Sequence, residues 1–191
     1  MLFRDATAIE NFRKIDTLIV DKTGTLTEGK PRFERCVAAS GYTEDEVLRL
    51  AASLDQGSEH PLAAALVQAA HERKLVLEKV DSFESIAGIG ARGIAGGQHQ
   101  LNLGNTALMA QAGISVDDLK SQAEALRAEG ASAMYLSVDG KLAGLLAVSD
   151  PIKAGTLEAL AALKTTGIRV IMASGDGLTT AKAVASSCCR R

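Results

Sequence analysis

Leu18-Ile19-Val20 is a short, unbroken run of branched apolar residues that stops at a carboxylate, Asp21, and is followed at once by Lys22-Thr23-Gly24-Thr25-Leu26-Thr27. A run of that kind, with no polar alternation, predicts a strand buried on both faces of a parallel sheet. Ligand sites in such sheets lie beyond the carboxyl ends of the strands, which is where Asp21 would emerge. Gly24 permits a tight turn, and the hydroxyls of Thr23, Thr25 and Thr27 join backbone amides as donors and acceptors suited to a phosphoryl group with Mg²⁺. On the residues alone two roles stay open for Asp21: a nucleophile, or the former of an Asx-type turn.

The rest of the chain limits what could surround that turn. Its 191 residues suffice for one large domain or two small ones with a real core. Aromatics make up 3% and Trp is absent, so the core must be aliphatic. A formal net charge of -2 gives no general attraction to nucleic acid or an anionic membrane, and nucleic-acid binding is set aside. Cys36 and the adjacent Cys188-Cys189 match neither a disulfide framework nor a metal-ligand spacing, which fits a reducing, cytosolic setting. No apolar stretch nears the roughly 18 to 20 residues that span a bilayer, and the first residues lack a signal-peptide core, so a soluble chain is expected.

Periodicity predicts a helix over 5–14 and the strand over 17–20, then a break at Gly29-Lys30-Pro31. Next come a strand near 32–39, a helix from Thr43 to Leu54 opened by a Thr43/Glu46 capping box, and a helix from Pro61 to about Lys74. Strands follow at 81–86, 91–95 and 98–103, helices at 105–112 and 117–128, and strands at 133–138 and 142–148 that flank Asp139-Gly140 as a hairpin. A helix over 152–164, a strand over 168–172 and a helix after Gly177 close the pattern. The strand-helix rhythm of 15–27 resumes only after about residue 143, so 33–140 reads as a lobe inserted between the halves of one parallel-sheet domain.

Four further segments carry polar chemistry, each with a plain structural reading beside it. Ser58-Glu59-His60-Pro61 puts a carboxylate and an imidazole at a helix N-terminus, where a surface His before a helix-starting Pro is also ordinary. Gly88-Ile89-Gly90-Ala91-Arg92-Gly93 is formally GxGxxG, but it lies between strands and leads into no helix, so it is not a dinucleotide fingerprint; a glycine-relaxed turn explains it equally. Asn105 can cap the helix that follows Gly104. Asp150-Pro151 is an ordinary helix-start device, and Ser174-Gly175-Asp176-Gly177 follows the last strand.

The heptapeptide Asp21 to Thr27, DKTGTLT, resembles the phosphorylation signature of the P-type ATPases, which form an aspartyl-phosphate within the haloacid dehalogenase-like superfamily. Ser58-Glu59-His60-Pro61 and the run from Gly88 to Met109 resemble the heavy-metal-transporting subgroup, class IB, and the stretch from Leu2 to Pro31 is most similar to its copper pumps. That resemblance implies an α/β fold: an incomplete haloacid dehalogenase-like phosphorylation domain of 1–32 and 141–191, with an inserted α+β nucleotide-binding domain of 33–140. It implies Asp21, Lys22, Thr23, Thr25, Ser174 and Gly175 as the catalytic set, with Mg²⁺ on the Asp21 carboxylate and the Thr23 carbonyl. ATP would be held by Glu59, His60, Gly88, Gly90, Asn105, Asp150 and Asp176, with Glu59 and His60 at its adenine end.

The departures from the family pattern are informative. Ser174 and Gly177 stand where the family has the Thr and Asn of TGDN; the hydroxyl is kept and the side-chain amide lost. A phosphoryl-contacting Lys and a GDGxND segment would lie beyond Ala185, where this sequence has Ser186-Ser187-Cys188-Cys189-Arg190-Arg191; the ending reads as a truncation. The actuator and transmembrane domains are the expected partners, on the cytosolic face of a membrane, and the transported ion would not be bound by these residues. Phosphatases of the superfamily carry a second Asp two residues after the nucleophile, where this chain has Thr23, so its phosphoenzyme should be long-lived. Three functions are thereby ranked: the ATP-binding and phosphorylating part of a metal-transporting ATPase first, then a non-catalytic ATP-binding fragment, then a soluble phosphatase.

Overall fold

The computed structural model describes residues 14–175 and 177–189. In chain order the elements are β1 (Thr17–Asp21), β2 (Arg32–Ala38), α1 (Glu44–Asp55), α2 (Pro61–Glu72), β3 (Val80–Ile86), β4 (Gly90–Ala95), β5 (His99–Gly104), α3 (Thr106–Gln111), α4 (Asp117–Ala128), β6 (Ser132–Val138), β7 (Lys141–Ser149), α5 (Thr156–Thr165), β8 (Arg169–Ala173) and α6 (Leu178–Cys189). The helix expected over 5–14 falls almost wholly outside the described residues.

Strands β1 and β8 form a parallel pair in which Asp21 stands opposite Ala173. The other six strands form one antiparallel sheet in the order β2-β7-β6-β5-β4-β3. Its core is split by the strand period, because successive side chains point to opposite faces. Leu136, Leu146 and Val148 pack beneath α1 and α2 with Val47, Leu48, Leu54 and Leu66, whereas their neighbours Tyr135, Leu145 and Ala147 pack beneath α3 and α4 with Leu108, Met109, Leu119 and Leu126. Helices on both faces explain why β7 reads as an unbroken apolar run.

Local signals fix the connections. Thr43 and Glu46 complete the capping box: the Thr43 N–H donates to Glu46 Oε2 at 2.7 Å, and the Glu46 N–H to Thr43 Oγ1 at 3.3 Å. Asp139 and Gly140 turn the β6-β7 hairpin with φ of 49° and 77°, the left-handed pair that matches strand twist. The Asp139 carboxylate reaches across to the β4-β5 hairpin, accepting from the Gln100 N–H at 2.9 Å and lying 2.8 Å from His99 Nδ1.

Three expectations need correction. β1 is not buried on both faces: with β8 as its one neighbouring strand among the described residues, Ile19 is 68% exposed and Ile171 on β8 is 43% exposed. The second segment of the parallel-sheet unit does not begin at 141, since Lys141–Ser149 is the strand between β2 and β6, with Arg32 opposite Ser149. The helix expected from 152 begins at Thr156 instead, because 150–153 is bonded in extended form to the turn after β1. Among the described residues no helix is long and apolar enough to cross a membrane.

Candidate functional site

Parallel pairing brings the carboxyl ends of β1 and β8 together, so exposed Asp21 and the Ser174-Gly175 segment leave the sheet side by side. The backbone then reverses through Gly24, whose φ of 73° suits a residue without Cβ, and the Thr27 N–H closes the turn on the Lys22 carbonyl at 3.1 Å. Thr27 is fully buried and organises the turn from within. Its hydroxyl accepts from the Gly24 N–H at 3.3 Å and directs its one proton to Asp150 Oδ2 at 2.6 Å.

The strap after β7 holds this turn from outside. Asp150 Oδ1 accepts from the Lys30 N–H at 3.2 Å, and Lys153 Nζ donates to the Gly24 carbonyl. The Leu26 carbonyl accepts from the Lys153 N–H at 3.0 Å and from Thr156 Oγ1 at 2.7 Å. Asp150 therefore fixes the turn with both oxygens, where the sequence offered a helix-start role. Lys22 is buried within the turn and Thr23 is exposed; both line a cleft of about 860 Å³.

The far end of that cleft lies on the six-stranded lobe. His60 is the N-cap of α2: its Nδ1 accepts from the Leu62 N–H at 3.2 Å. An accepting Nδ1 carries no proton, so the ring is the Nε2–H tautomer and keeps one donor for a ligand. Glu59 is exposed and is not part of the cleft lining. The carboxylate that does line it is Asp55, the last residue of α1, which sequence reasoning missed. Asp55 is 7% exposed, and burial pushes its carboxyl up from 3.8 to about 7. An Asp closing an amphipathic helix looks like a solvated end; only the fold of α1 against β4 shows that it is covered.

The glycines divide into two kinds. Gly90 and Gly104 face each other across β4 and β5, where a Cβ on Gly90 would lie 2.2 Å from the Leu103 carbonyl oxygen and one on Gly104 would lie 2.1 Å from that of Ile89. Their missing side chains are thus filled by backbone. Gly88, with φ of 76° and nothing within 4 Å of its Cβ position, is the open one. Asn105 joins this loop to α3: its Oδ1 caps the Ala107 and Leu108 N–H groups at 2.9 and 3.3 Å, and its Nδ2 donates to the Gly88 carbonyl at 2.9 Å.

Of the residues expected from the sequence, the cleft brings together Lys22, Thr23, His60, Gly88, Gly90, Asn105, Asp150 and Gly175. Asp21 and Ser174 stand beside it at the strand ends, Thr25 is exposed away from its lining, and Asp176 is outside the described residues. No group of three or more His, Cys, Asp or Glu side chains that could hold a metal occurs among the described residues. A hard cation here would rest on the Asp21 carboxylate and a backbone carbonyl, with phosphate oxygens completing its shell, a donor set that suits Mg²⁺ carried in with a nucleotide. Cys36 is buried and its thiol is pushed up to about 12, chiefly by that burial, so it offers no thiolate.

Comparison with known proteins agrees with the fold. The family model of the haloacid dehalogenase-like hydrolases matches residues 15–189. A copper-transporting P-type ATPase of Rhizobium leguminosarum bv. viciae is 50% identical over 98% of this chain, and a silver exporting P-type ATPase of Salmonella typhimurium is 44% identical over 97% of it. The chain spans 22% of the length of each. Among solved structures, a zinc-transporting PIB-type ATPase in its E2.Pi state superposes with a TM-score of 0.68 at 27% identity, over 91% of this chain and 28% of that one. Matched by that family model from the strand before Asp21 to the last helix, the chain belongs to the haloacid dehalogenase-like hydrolases.

Proposed function

We propose that the chain is the ATP-binding and phosphorylating segment of a heavy-metal P-type ATPase, facing the cytosol, with Asp21 as the residue phosphorylated. The observation that carries this reading is the single cleft that has Lys22 and Thr23 at one end and Asp55, His60 and Gly88 at the other. ATP fits that layout with its adenine on the lobe and its γ-phosphorus toward Asp21. Asp55 accepts from the adenine amino group, His60 Nε2–H donates to the ring, and the open backbone at Gly88 admits it. Glu59, which the resemblance favoured, has no part in this arrangement, and Gly90 and Gly104 serve it by letting two strands approach closely.

In the proposed reaction a carboxylate oxygen of Asp21 attacks the γ-phosphorus, the bond from that phosphorus to the β-γ bridging oxygen breaks, and ADP leaves with the electron pair. Asp21 and the Thr23 carbonyl would hold Mg²⁺, which offsets charge on the transferring group when bound. Lys22, Thr25, Ser174 and Gly175 position the phosphoryl oxygens, and Asp150 acts through Thr27 by fixing the turn. Thr23 supplies no acid or base, so the acyl phosphate persists until another domain brings water to it. The domains of division are then 32–149 for the nucleotide lobe and the flanking segments for the phosphorylation unit. The relatives' names favour a copper-type or silver-type cargo ion for the longer protein, held by its membrane part.

The test is incubation of the chain with γ-labelled ATP and Mg²⁺, followed by an acid quench. Acid-stable label on the wild type that disappears in Asp21→Asn supports the reading. Nucleotide binding without label would leave a binding module, and rapid phosphate release from a small phosphoester would favour a phosphatase.

A further inference from the structure

Arg127 is set into the wall of the same cleft, in the last turn of α4, and nothing in the family motifs points to it. Its side chain is 16% exposed and is held on three sides. One terminal nitrogen donates to Glu124 Oε1 at 2.7 Å and the other to the Ala133 carbonyl at 3.0 Å, while the guanidinium carbon lies 5.7 Å from the centre of the Tyr135 ring. A guanidinium has five N–H donors in one plane. Two are committed here, and the remainder have no partner among the described residues.

Packing alone does not account for this choice of residue. A Leu or Met would cover Tyr135 without desolvating a charge. The Tyr135 hydroxyl, moreover, is buried with no hydrogen-bond partner among the described residues, so Arg127 meets the ring face and not the polar end. Charge supplies the missing reason. Of the described residues that line the cleft, Lys22 and Arg127 are the only lysine or arginine, one on the phosphorylation turn and the other on the lobe. A nucleoside polyphosphate lying between adenine and Asp21 carries several negative charges across that gap.

The geometry assigns Arg127 to the polyphosphate: we propose that its free N–H groups bind the α- and β-phosphate oxygens of ATP and ADP as a fixed fork. This rests on the reading of the cleft as a nucleotide site. Glu124 keeps the fork oriented and sets a negative charge beside the phosphates, so Arg127 gains a second anionic partner without first being desolvated while Glu124 tempers the affinity. Adenosine, which has no phosphate, gains nothing from it.

The experiment is calorimetric titration of the full chain with adenosine, ADP and ATP. Arg127→Gln is expected to weaken ADP and ATP by about tenfold, the loss of one charge-assisted contact, and to leave adenosine unchanged. Arg127→Lys, which keeps the charge and its packing but not the fork, should fall between the two, and serves if Arg127→Gln melts early. Glu124→Gln should tighten ATP, and raising the salt should narrow the gap between wild type and Arg127→Gln. Equal loss for adenosine and ATP, or no loss for either, would overturn the assignment and leave Arg127 a structural prop. Binding of adenosine with no gain from added phosphates in the wild type would overturn it while sparing the adenine site; no binding of any nucleotide would remove both.

Discussion

Thr27 and Asp150, far apart in the chain, share a hydrogen bond of 2.6 Å that ties the turn carrying Asp21 to the strap returning from the six-stranded lobe. Because Thr27 is fully buried, removing Asp150 leaves its hydroxyl only the weaker, neutral acceptor at the Lys22 carbonyl, 3.1 Å away. Asp150→Ala should destabilise the chain by about 1.5–3 kcal/mol, the range for losing a hydrogen bond to a charged group. Thr27→Ser should be far milder than Thr27→Val. Urea denaturation of the three variants checks this, and adenosine affinity should be unchanged in each.

Asp55 predicts a pH dependence. Its carboxyl is pushed up to about 7 by burial, so the folded chain holds a proton that the unfolded chain releases near the ordinary 3.8. The protonated group favours folding, and that contribution is complete below about pH 4 and is lost as pH rises through about 7. Asp55→Asn should flatten this part of the stability profile and stabilise the chain above about pH 7 by roughly 1–3 kcal/mol, while weakening adenosine. Urea midpoints measured across this range decide it; a slope the variant retains would assign the titration to another group.

His60 combines a cap and a ligand donor, and substitution separates them. His60→Ala should lose about 1 kcal/mol with the cap, whereas His60→Ser restores an accepting oxygen at the N-cap and should unfold close to wild type. Both should lose nucleotide affinity, because neither has the Nε2–H. Thermal melts paired with titrations distinguish the two roles, and wild-type affinity in His60→Ser would remove the ring from the site.

The two glycines of the loop should behave unequally. Gly90→Ala sets a Cβ 2.2 Å from the Leu103 carbonyl oxygen and 2.6 Å from Gly104 Cα, and should cost about 3 kcal/mol or more. Gly88→Ala meets no atom and carries only the left-handed penalty of about 1–2 kcal/mol. The second variant should fold and bind nucleotide less well. Denaturation curves and titrations of both report the difference.

What the sequence discloses of this site is what local chemistry determines. DKTGTLT marks the strand end and the turn in seven consecutive residues, and the Thr43/Glu46 box and Asp139-Gly140 turn are bonded as their side chains dictate. What stays hidden is decided by distant partners. The apolar run of β7 is equally compatible with a parallel strand and with the middle of an antiparallel sheet, and only its pairing with β2 decides. Asp55 and Arg127 belong to amphipathic helices whose ends look solvated until the fold covers them. Glu59, one residue from His60, shares its motif but not its direction.

The pairing of Arg32 with Ser149 has a consequence for how the chain assembles. The lobe begins and ends on adjacent strands, so once folded it presents its two ends to the parent unit as a hairpin would. Before then, joining β1 to β8 means closing a loop that includes the whole lobe; afterwards the loop is effectively short, which lowers the closure entropy by on the order of 1 kcal/mol. The antiparallel sheet, whose strands are mostly joined to their neighbours in sequence, is thus placed to form early as the chain leaves the ribosome. Asp21 acquires its surroundings only after β8 has been made.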